Sequence, residues 1–161
     1  LTVSGRQLSQ NSFVDLILAP LHAEAFPASR LHFEITETAA LSEGLLINEH
    51  LRRLKQAGAS IAIDDFGVGY SSLSRLRHMP VDMLKIDASF IRDMIEDADD
   101  AAIANAVVSL GRALNMRVVA EGVERLDQQR ALESWGCDLM QGYLYSKPIP
   151  LDELTRWLRQ F

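Results

Sequence analysis

Short apolar runs alternate with longer amphipathic stretches along the whole chain. The runs are Leu1–Ser4, Leu31–Thr36, Ser60–Asp64, Met83–Ile86, Arg117–Glu121 and Asp138–Leu144. Their lengths suit β-strands. Between them the apolar period changes to three and four. In the stretch holding Leu45, Leu46, Leu51 and Leu54, the leucines share one helical face and Arg52, Arg53 and Lys55 turn outward. Gly58 then stands where a helix wants a left-handed residue to end on. A second helix is expected over Ala101–Leu114, with Asp97, Asp99 and Asp100 near its positive N-terminal end. A third covers Leu126–Trp135 and stops at Gly136. A last one, Leu151–Leu158, follows Pro148 and Pro150. Pro20 falls inside the helical stretch Phe13–Ala25 and predicts a kink or an early end there.

Strands that alternate with helices make parallel βαβ units. Six strands and five crossovers suit either a doubly wound sheet or a barrel, and periodicity does not choose between them. A (β/α)8 barrel takes roughly 250 residues. The 161 residues here, read as one domain, would supply about two thirds of one. The chain opens on Leu1-Thr2-Val3-Ser4, which reads as a piece of something longer.

Composition narrows the chemistry. The net charge is −6 and no Lys/Arg stripe offsets it, so a nucleic-acid polymer is not an expected partner. An acidic chain still takes a phosphate-bearing small molecule if bound cations reverse the local sign. The single cysteine, Cys137, excludes an internal disulfide and fits a cytoplasmic setting. No apolar run is long enough to span a bilayer. His22, His32, His50 and His78 show no metal-like spacing and are expected on helix surfaces or in the core.

The informative feature lies at the strand ends. Nearly every strand closes on an acid or another oxygen donor: Glu34 and Glu37, Asp64-Asp65, Asp87, Glu121 and Glu124, and Gln141. In a parallel barrel all strand C-termini open on one mouth, where the active site sits. Carboxylates gathered there repel one another, and divalent cations relieve the repulsion. Hard oxygen donors suit Mg²⁺ or Mn²⁺, and two such ions are a common arrangement for phosphodiester cleavage. A single acid at a strand end is more often a turn former or helix cap. The adjacent pair Asp64-Asp65 is harder to explain that way. So is Lys85, set in mid-strand between Leu84 and Ile86, because a covered strand obliges its ammonium to find an anion. Gly67 and Gly69, directly after the acid pair, suit a mobile lid.

The segments Glu34-Ile-Thr-Glu37, Asp64-Asp-Phe-Gly-Val-Gly-Tyr-Ser-Ser72, Leu84-Lys-Ile-Asp87, Val119-Ala-Glu-Gly-Val-Glu124 and Gln141-Gly-Tyr143 resemble EAL-domain cyclic di-GMP phosphodiesterases, in order and over the whole chain. The resemblance implies a TIM-like (β/α)8 barrel whose N-terminal strands precede Leu1. It implies binding of cyclic di-GMP across the strand C-termini and hydrolysis to linear 5′-pGpG with two Mg²⁺ or Mn²⁺ ions. It implies metal positions at Glu34, Asp64, Asp65 and Glu121, with Asp64 as the bridge. Lys85 would orient the attacking water or contact the phosphate, and Asp65 and Glu121 would share in catalysis. Glu37 would support the lid; Gln141, Glu124 and Pro148 would lie on the substrate side, with Gln141 close to the metals. A homodimer, an upstream sensory or GGDEF-type domain, and a parent protein open to membrane tethering belong to the same expectation. Two positions depart from the family pattern. The Glu-Ala-Leu motif is absent from these residues. The first strand carries Thr2 where the family has a metal-binding Asn, and a hydroxyl is a poorer ligand than an amide carbonyl. The alternatives are a degenerate domain that binds cyclic di-GMP without catalysis and, more distantly, an unrelated Mg²⁺ barrel.

Overall fold

The computed structural model describes residues 1–41, 45–69 and 73–159. Its elements run β1 (Thr2–Val3), α1 (Gly5–Leu8), α2 (Phe13–Ala23), a 3-10 turn (Ala28–Arg30), β2 (His32–Thr36), α3 (Glu37–Leu41), α4 (Leu45–Gln56) and β3 (Ser60–Phe66). They continue with α5 (Leu73–Leu76), β4 (Met83–Ile86), α6 (Ala88–Arg92), α7 (Ala98–Leu114), β5 (Arg117–Ala120), α8 (Leu126–Trp135), β6 (Leu139–Met140) and α9 (Leu151–Leu158). The strands pair in sequence order, β1 to β6, and every pairing is parallel. Consecutive parallel neighbours without a reversal of order are the arrangement of a β/α barrel rather than a doubly wound sheet. Among the described residues the sheet stays open, with β1 and β6 at its edges.

Strand side chains alternate between faces, and here the two faces differ in kind. Phe33, Ile35, Ile61, Ile63, Leu84, Ile86, Val118 and Ala120 all lie on one face and are buried in the core. The helices cover them: Leu8 of α1, Val14 of α2, Leu51 and Leu54 of α4, Ala104, Val107 and Val108 of α7, and Leu132 of α8 belong to the same cluster. Each such Val, Leu, Ile or Phe side chain contributes roughly 1.5–3 kcal/mol by leaving water. The helix α7 comes so close to β5 that a Cβ on Gly111 would stand 2.2 Å from a Val118 methyl. Glycine in mid-helix costs about 1 kcal/mol in propensity, and that close contact is what the cost permits. The opposite face carries Glu34, Ala62, Met83, Lys85, Arg117 and Val119, which line a cavity of about 330 Å³.

Several boundaries differ from those the pattern predicts. Pro20 does not end α2, which runs on to Ala23. Helix α7 starts three residues early, at Ala98, because Asp97 is its cap: the side chain accepts from the amides of Asp99 and Asp100. Strand β1 stops at Val3, and Ser4 instead forms a capping box with Gln7 at the start of α1. Strand β6 spans only Leu139–Met140, not Asp138–Leu144. Beyond it the chain turns, with Tyr145 and Ser146 donating to the Gly142 carbonyl. A Cβ on Gly142 would lie 2.1 Å from the Val123 carbonyl oxygen, so the backbone there presses directly on the β5–α8 loop. Two histidines sit as the sequence suggested: His22 is exposed on α2, and His50 is buried and bonds the Leu8 carbonyl at 2.8 Å, tying α4 to α1. His32 instead sits on β2 and lines the inner cavity. No helix among the described residues is long and apolar enough to cross a membrane.

Candidate active site at the strand C-termini

Lys85 is the centre of the site. It occupies the third position of β4, on the inner face, and its side chain is only 9% exposed. An ammonium that deep needs anionic partners, since an unpaired buried charge costs several kcal/mol. It has three: Asp64 Oδ1 at 2.8 Å, Glu121 Oε1 at 2.8 Å and Glu34 Oε1 at 3.1 Å. One carboxylate comes from each of β2, β3 and the residue after β5, so strands on both sides of β4 converge on its one cation. Burial pulls the Lys85 ammonium down, but the hydrogen bonds to Asp64, Glu121 and Glu34 outweigh it, and its pKa ends well above the ordinary lysine value.

The acid pair reaches the site through a bulge. Ile63 stands opposite Leu84 and Phe66 opposite Ile86, so two residues, Asp64 and Asp65, face the single Lys85. Without the extra residue, neighbouring side chains would point to opposite faces. Asp65 takes the extra place with φ of 53°, in the left-handed region that Asp tolerates better than most side chains. As a result Asp64, Asp65 and Glu121 each bring a carboxylate oxygen to within 4.8 Å of the others. Three converging carboxylates are a donor set that fits a hard divalent cation.

The electrostatics show how crowded the cluster is. Burial raises the Asp65 pKa, and the charges of Asp64 and Asp87 raise it further. Burial likewise raises Glu121; Lys85 opposes this, while Asp64 and Glu34 add to it. Burial pushes Glu34 up as well, but there the hydrogen bond and charge of Lys85 win, helped by the Thr2 hydroxyl, and its pKa falls below the ordinary carboxylate range. Lys85 therefore satisfies Glu34 and leaves Asp65 and Glu121 holding protons more tightly than free carboxylates do.

The remaining expected residues separate into three places. Thr2 lies in register with Glu34, and its hydroxyl donates to Glu34 Oε2 at 3.3 Å. Glu37 is the first residue of α3, buried at 4% exposure; its Oε2 accepts from the Gly67 amide at 3.1 Å. A Cβ on Gly69 would meet Glu37 Oε1 at 3.1 Å, so the carboxylate lies against the turn that follows the acid pair. The rest of that motif, Tyr70 to Ser72, lies outside the described residues. Gln141 lines the inner cavity with Glu34 and Lys85 and also a second cavity of about 690 Å³, formed by the segment after β6 and by α9, which Pro148 shares. Glu124 is exposed. Its backbone amide, like that of Arg125, donates to Gln128 Oε1 at 2.9 Å; its carboxylate has no partner among the described residues.

One strand-end acid that the resemblance left without a role also joins the site. Asp87 hydrogen-bonds the Asp65 side chain and also caps α6, accepting from the Ser89 amide at 2.8 Å. Burial works against the Asp87 charge, but the Ser89 and Asp65 hydrogen bonds hold its pKa below the usual range. The sequence marks Asp87 only as the acid that closes β4; its bond to Asp65 depends on the bulge that turns Asp65 toward it.

The family described as EAL domain matches residues 1–148. The chain is similar to the bifunctional diguanylate cyclase/cyclic di-GMP phosphodiesterase MucR of Pseudomonas aeruginosa, at 41% identity over 152 residues, 94% of this chain and 22% of that one. Its backbone follows a solved structure of the MucR phosphodiesterase in complex with c-di-GMP, with a TM-score of 0.90 at 41% identity, covering 95% of this chain and 62% of that one. A Klebsiella pneumoniae BlrP1 structure with manganese and cy-diGMP gives a TM-score of 0.80 at 35% identity, over 92% of this chain and 38% of that one. The chain thus spans about a fifth of the length of the curated relatives it matches.

Proposed function

Because the chain belongs to the EAL domain family, we propose that it carries the central part of a site that hydrolyses cyclic di-GMP to linear 5′-pGpG in bacterial signalling. The observation that carries this reading is the convergence of Asp64, Asp65 and Glu121 within 4.8 Å, directly above the buried Lys85. The relatives' names and complexes support the substrate, and the manganese complex of one relative supports the metal.

Asp64, Asp65 and Glu121, with Glu34 beside them, would hold two Mg²⁺ or Mn²⁺ ions, Asp64 being the shared ligand. Divalent cations bound there supply charge that neutralises the phosphodiester and acidifies an attacking water. The chain's own groups do the rest. Lys85 holds Asp64, Glu121 and Glu34 in place, so the donors are oriented before any ligand arrives. Its ammonium would also orient the attacking water or contact a phosphoryl oxygen, as the family resemblance implies. Water oxygen bonds to phosphorus, one phosphorus–O3′ bond breaks, and the leaving 3′-oxygen takes a proton. Glu37 keeps the Gly67–Gly69 turn folded beside Asp65. Gln141, Pro148 and Glu124 form the substrate side.

Thr2 favours a second reading. Its hydroxyl is spent on Glu34 at the place where the family supplies an amide ligand, which suits a domain that binds cyclic di-GMP without cleaving it. Both readings are tested on the full-length protein. Cyclic di-GMP is incubated with Mg²⁺, with Mn²⁺ and with chelator, and the product is followed by chromatography. Metal-dependent appearance of pGpG supports the phosphodiesterase. Saturable binding with no turnover in either metal moves the assignment to the binding module, and neither binding nor turnover overturns both.

A further inference from the structure

Four polar side chains are buried among the described residues: Glu37, His50, Lys85 and Gln128. The first three have their places, Lys85 and Glu37 in the site and His50 between α4 and α1. Gln128, in the first turn of α8, is 2% exposed and uses every hydrogen-bonding position of its amide. Its Oε1 accepts from the Glu124 and Arg125 amides, each at 2.9 Å. Its Nε2 donates to the carbonyls of Ile91 at 2.8 Å and Arg92 at 3.2 Å. Two N–H groups on one side and two carbonyls on the other admit only one orientation of the amide. Reaching back to the Arg125 amide would be an ordinary helix cap. The two bonds to α6 are not part of a cap. They tie the last residues of α6, whose carbonyls lack partners within so short a helix, to the loop between β5 and α8.

We propose that Gln128 is a positioning residue that sets the separation of Glu121 and Asp65. The inference rests on the reading of these acids as metal ligands. The loop grips α6 at both ends. Gly122, directly after Glu121, lies so close to α6 that a Cβ on it would stand 2.8 Å from the Ala88 Cβ. Gln128 holds the other end, at Ile91 and Arg92. Asp87 caps α6 and hydrogen-bonds the Asp65 side chain. One path therefore runs from Glu121 through the loop to α6, and from the head of α6 through Asp87 to Asp65. A slip of the loop along α6 would move Glu121 away from Asp64 and Asp65, whose oxygens lie within 4.8 Å of its own. Carboxylates that share a cation need supports that fix their orientation, and this amide is such a support for the loop that carries one of them.

The test uses the full-length protein and reads Mn²⁺ binding by titration calorimetry, with no nucleotide present. Q128E keeps an acceptor for the Glu124 and Arg125 amides but sets a carboxylate oxygen against the two α6 carbonyls. It should bind Mn²⁺ about tenfold more weakly than wild type, at unchanged stoichiometry. Q128M, which loses all of these bonds, should bind at least as weakly. D82A strips the Ile61 amide of its acceptor at the opposite end of the sheet and should leave the affinity unchanged. Circular dichroism confirms that each variant is folded. Wild-type affinity in folded Q128E overturns the inference. So does an equal loss in D82A, which would make the effect one of general stability. In the wild type, Mn²⁺ should slow hydrogen exchange at the Glu124 and Arg125 amides. Exchange indifferent to the metal overturns the inference even where the variants fail to fold. A wild type that binds no Mn²⁺ overturns the metal reading itself, and the inference with it.

Discussion

Both ends of this sheet carry aspartates, and they serve opposite purposes. At the end where the strands begin, Asp82 precedes β4 and Asp138 precedes β6. Asp82 accepts from the Ile61 amide at 2.8 Å and pairs with Lys55; Asp138 accepts from the Val118 amide at 2.8 Å. Each reaches across to the second residue of the neighbouring strand, where an amide would otherwise lack a partner. These carboxylates are satisfied one by one and add to stability. At the end where the strands finish, Glu34, Asp64 and Glu121 share one ammonium, and Asp65 leans on another carboxyl. That end gives up stability to keep oxygen donors close and available. The contrast separates a fastening from a site, although both are built from acids at strand ends.

The sharpest way to break the comparison is Lys85→Met. Without the shared cation, three carboxylates face one another across a nearly buried space. The metal-free protein should lose about 3–5 kcal/mol, measured by urea unfolding, and added Mn²⁺ should recover part of it. A variant as stable as wild type without metal would mean that Lys85 does not hold the cluster together. Asp64→Asn should follow. Turnover of cyclic di-GMP by the full-length protein should fall by about 10²-fold, roughly 2.7 kcal/mol of barrier, with the melting temperature unchanged or raised because repulsion is relieved. Unchanged turnover would remove Asp64 from the metal site.

Asp82→Ala should show the reverse. It strands the Ile61 amide and Lys55 and should cost about 1–3 kcal/mol of stability, while activity per folded molecule stays near wild type. A loss of turnover without a loss of stability would erase the distinction between the two ends. Glu37→Gln should be milder, because an amide oxygen can still accept from Gly67. A loss of about tenfold, partly recovered by excess Mg²⁺, is the expected result; normal activity at low Mg²⁺ would exclude a role in holding the turn.

The smallest effect concerns pH. The Lys85 pKa is raised above 10.5, so its contribution is fully present below that ordinary value and is lost only as the pH climbs through the raised one. The stability difference between wild type and Lys85→Met, without metal, should stay flat from about neutral pH to about 10. A difference that shrinks well below that range would mean that the three carboxylates do not raise the lysine.

Much of this could be read from the sequence. Short apolar runs located every strand, because a run of that length between helical stretches suits a covered strand. The motifs around Glu34, Asp64-Asp65, Lys85, Glu121 and Gln141 identified the family, and Lys85 in mid-strand already demanded anions. Boundaries were less legible: Asp97 starts α7 early and Ser4 ends β1, since a cap competes with the pattern only when its side chain finds the right amides. Other features required the folded chain. The bulge that brings Asp64 and Asp65 to one lysine depends on the register against β4, a relation between distant residues that no local period encodes. Asp82 and Asp64 are both strand-end acids in the sequence; which one is a fastener was decided by which strand's amide, or which lysine, the fold set beside it. A residue's own chemistry fixes what it can bond, but only the packing of the strands fixes what lies within 3 Å of it, and that distance decided stability at one end of the sheet and a binding site at the other.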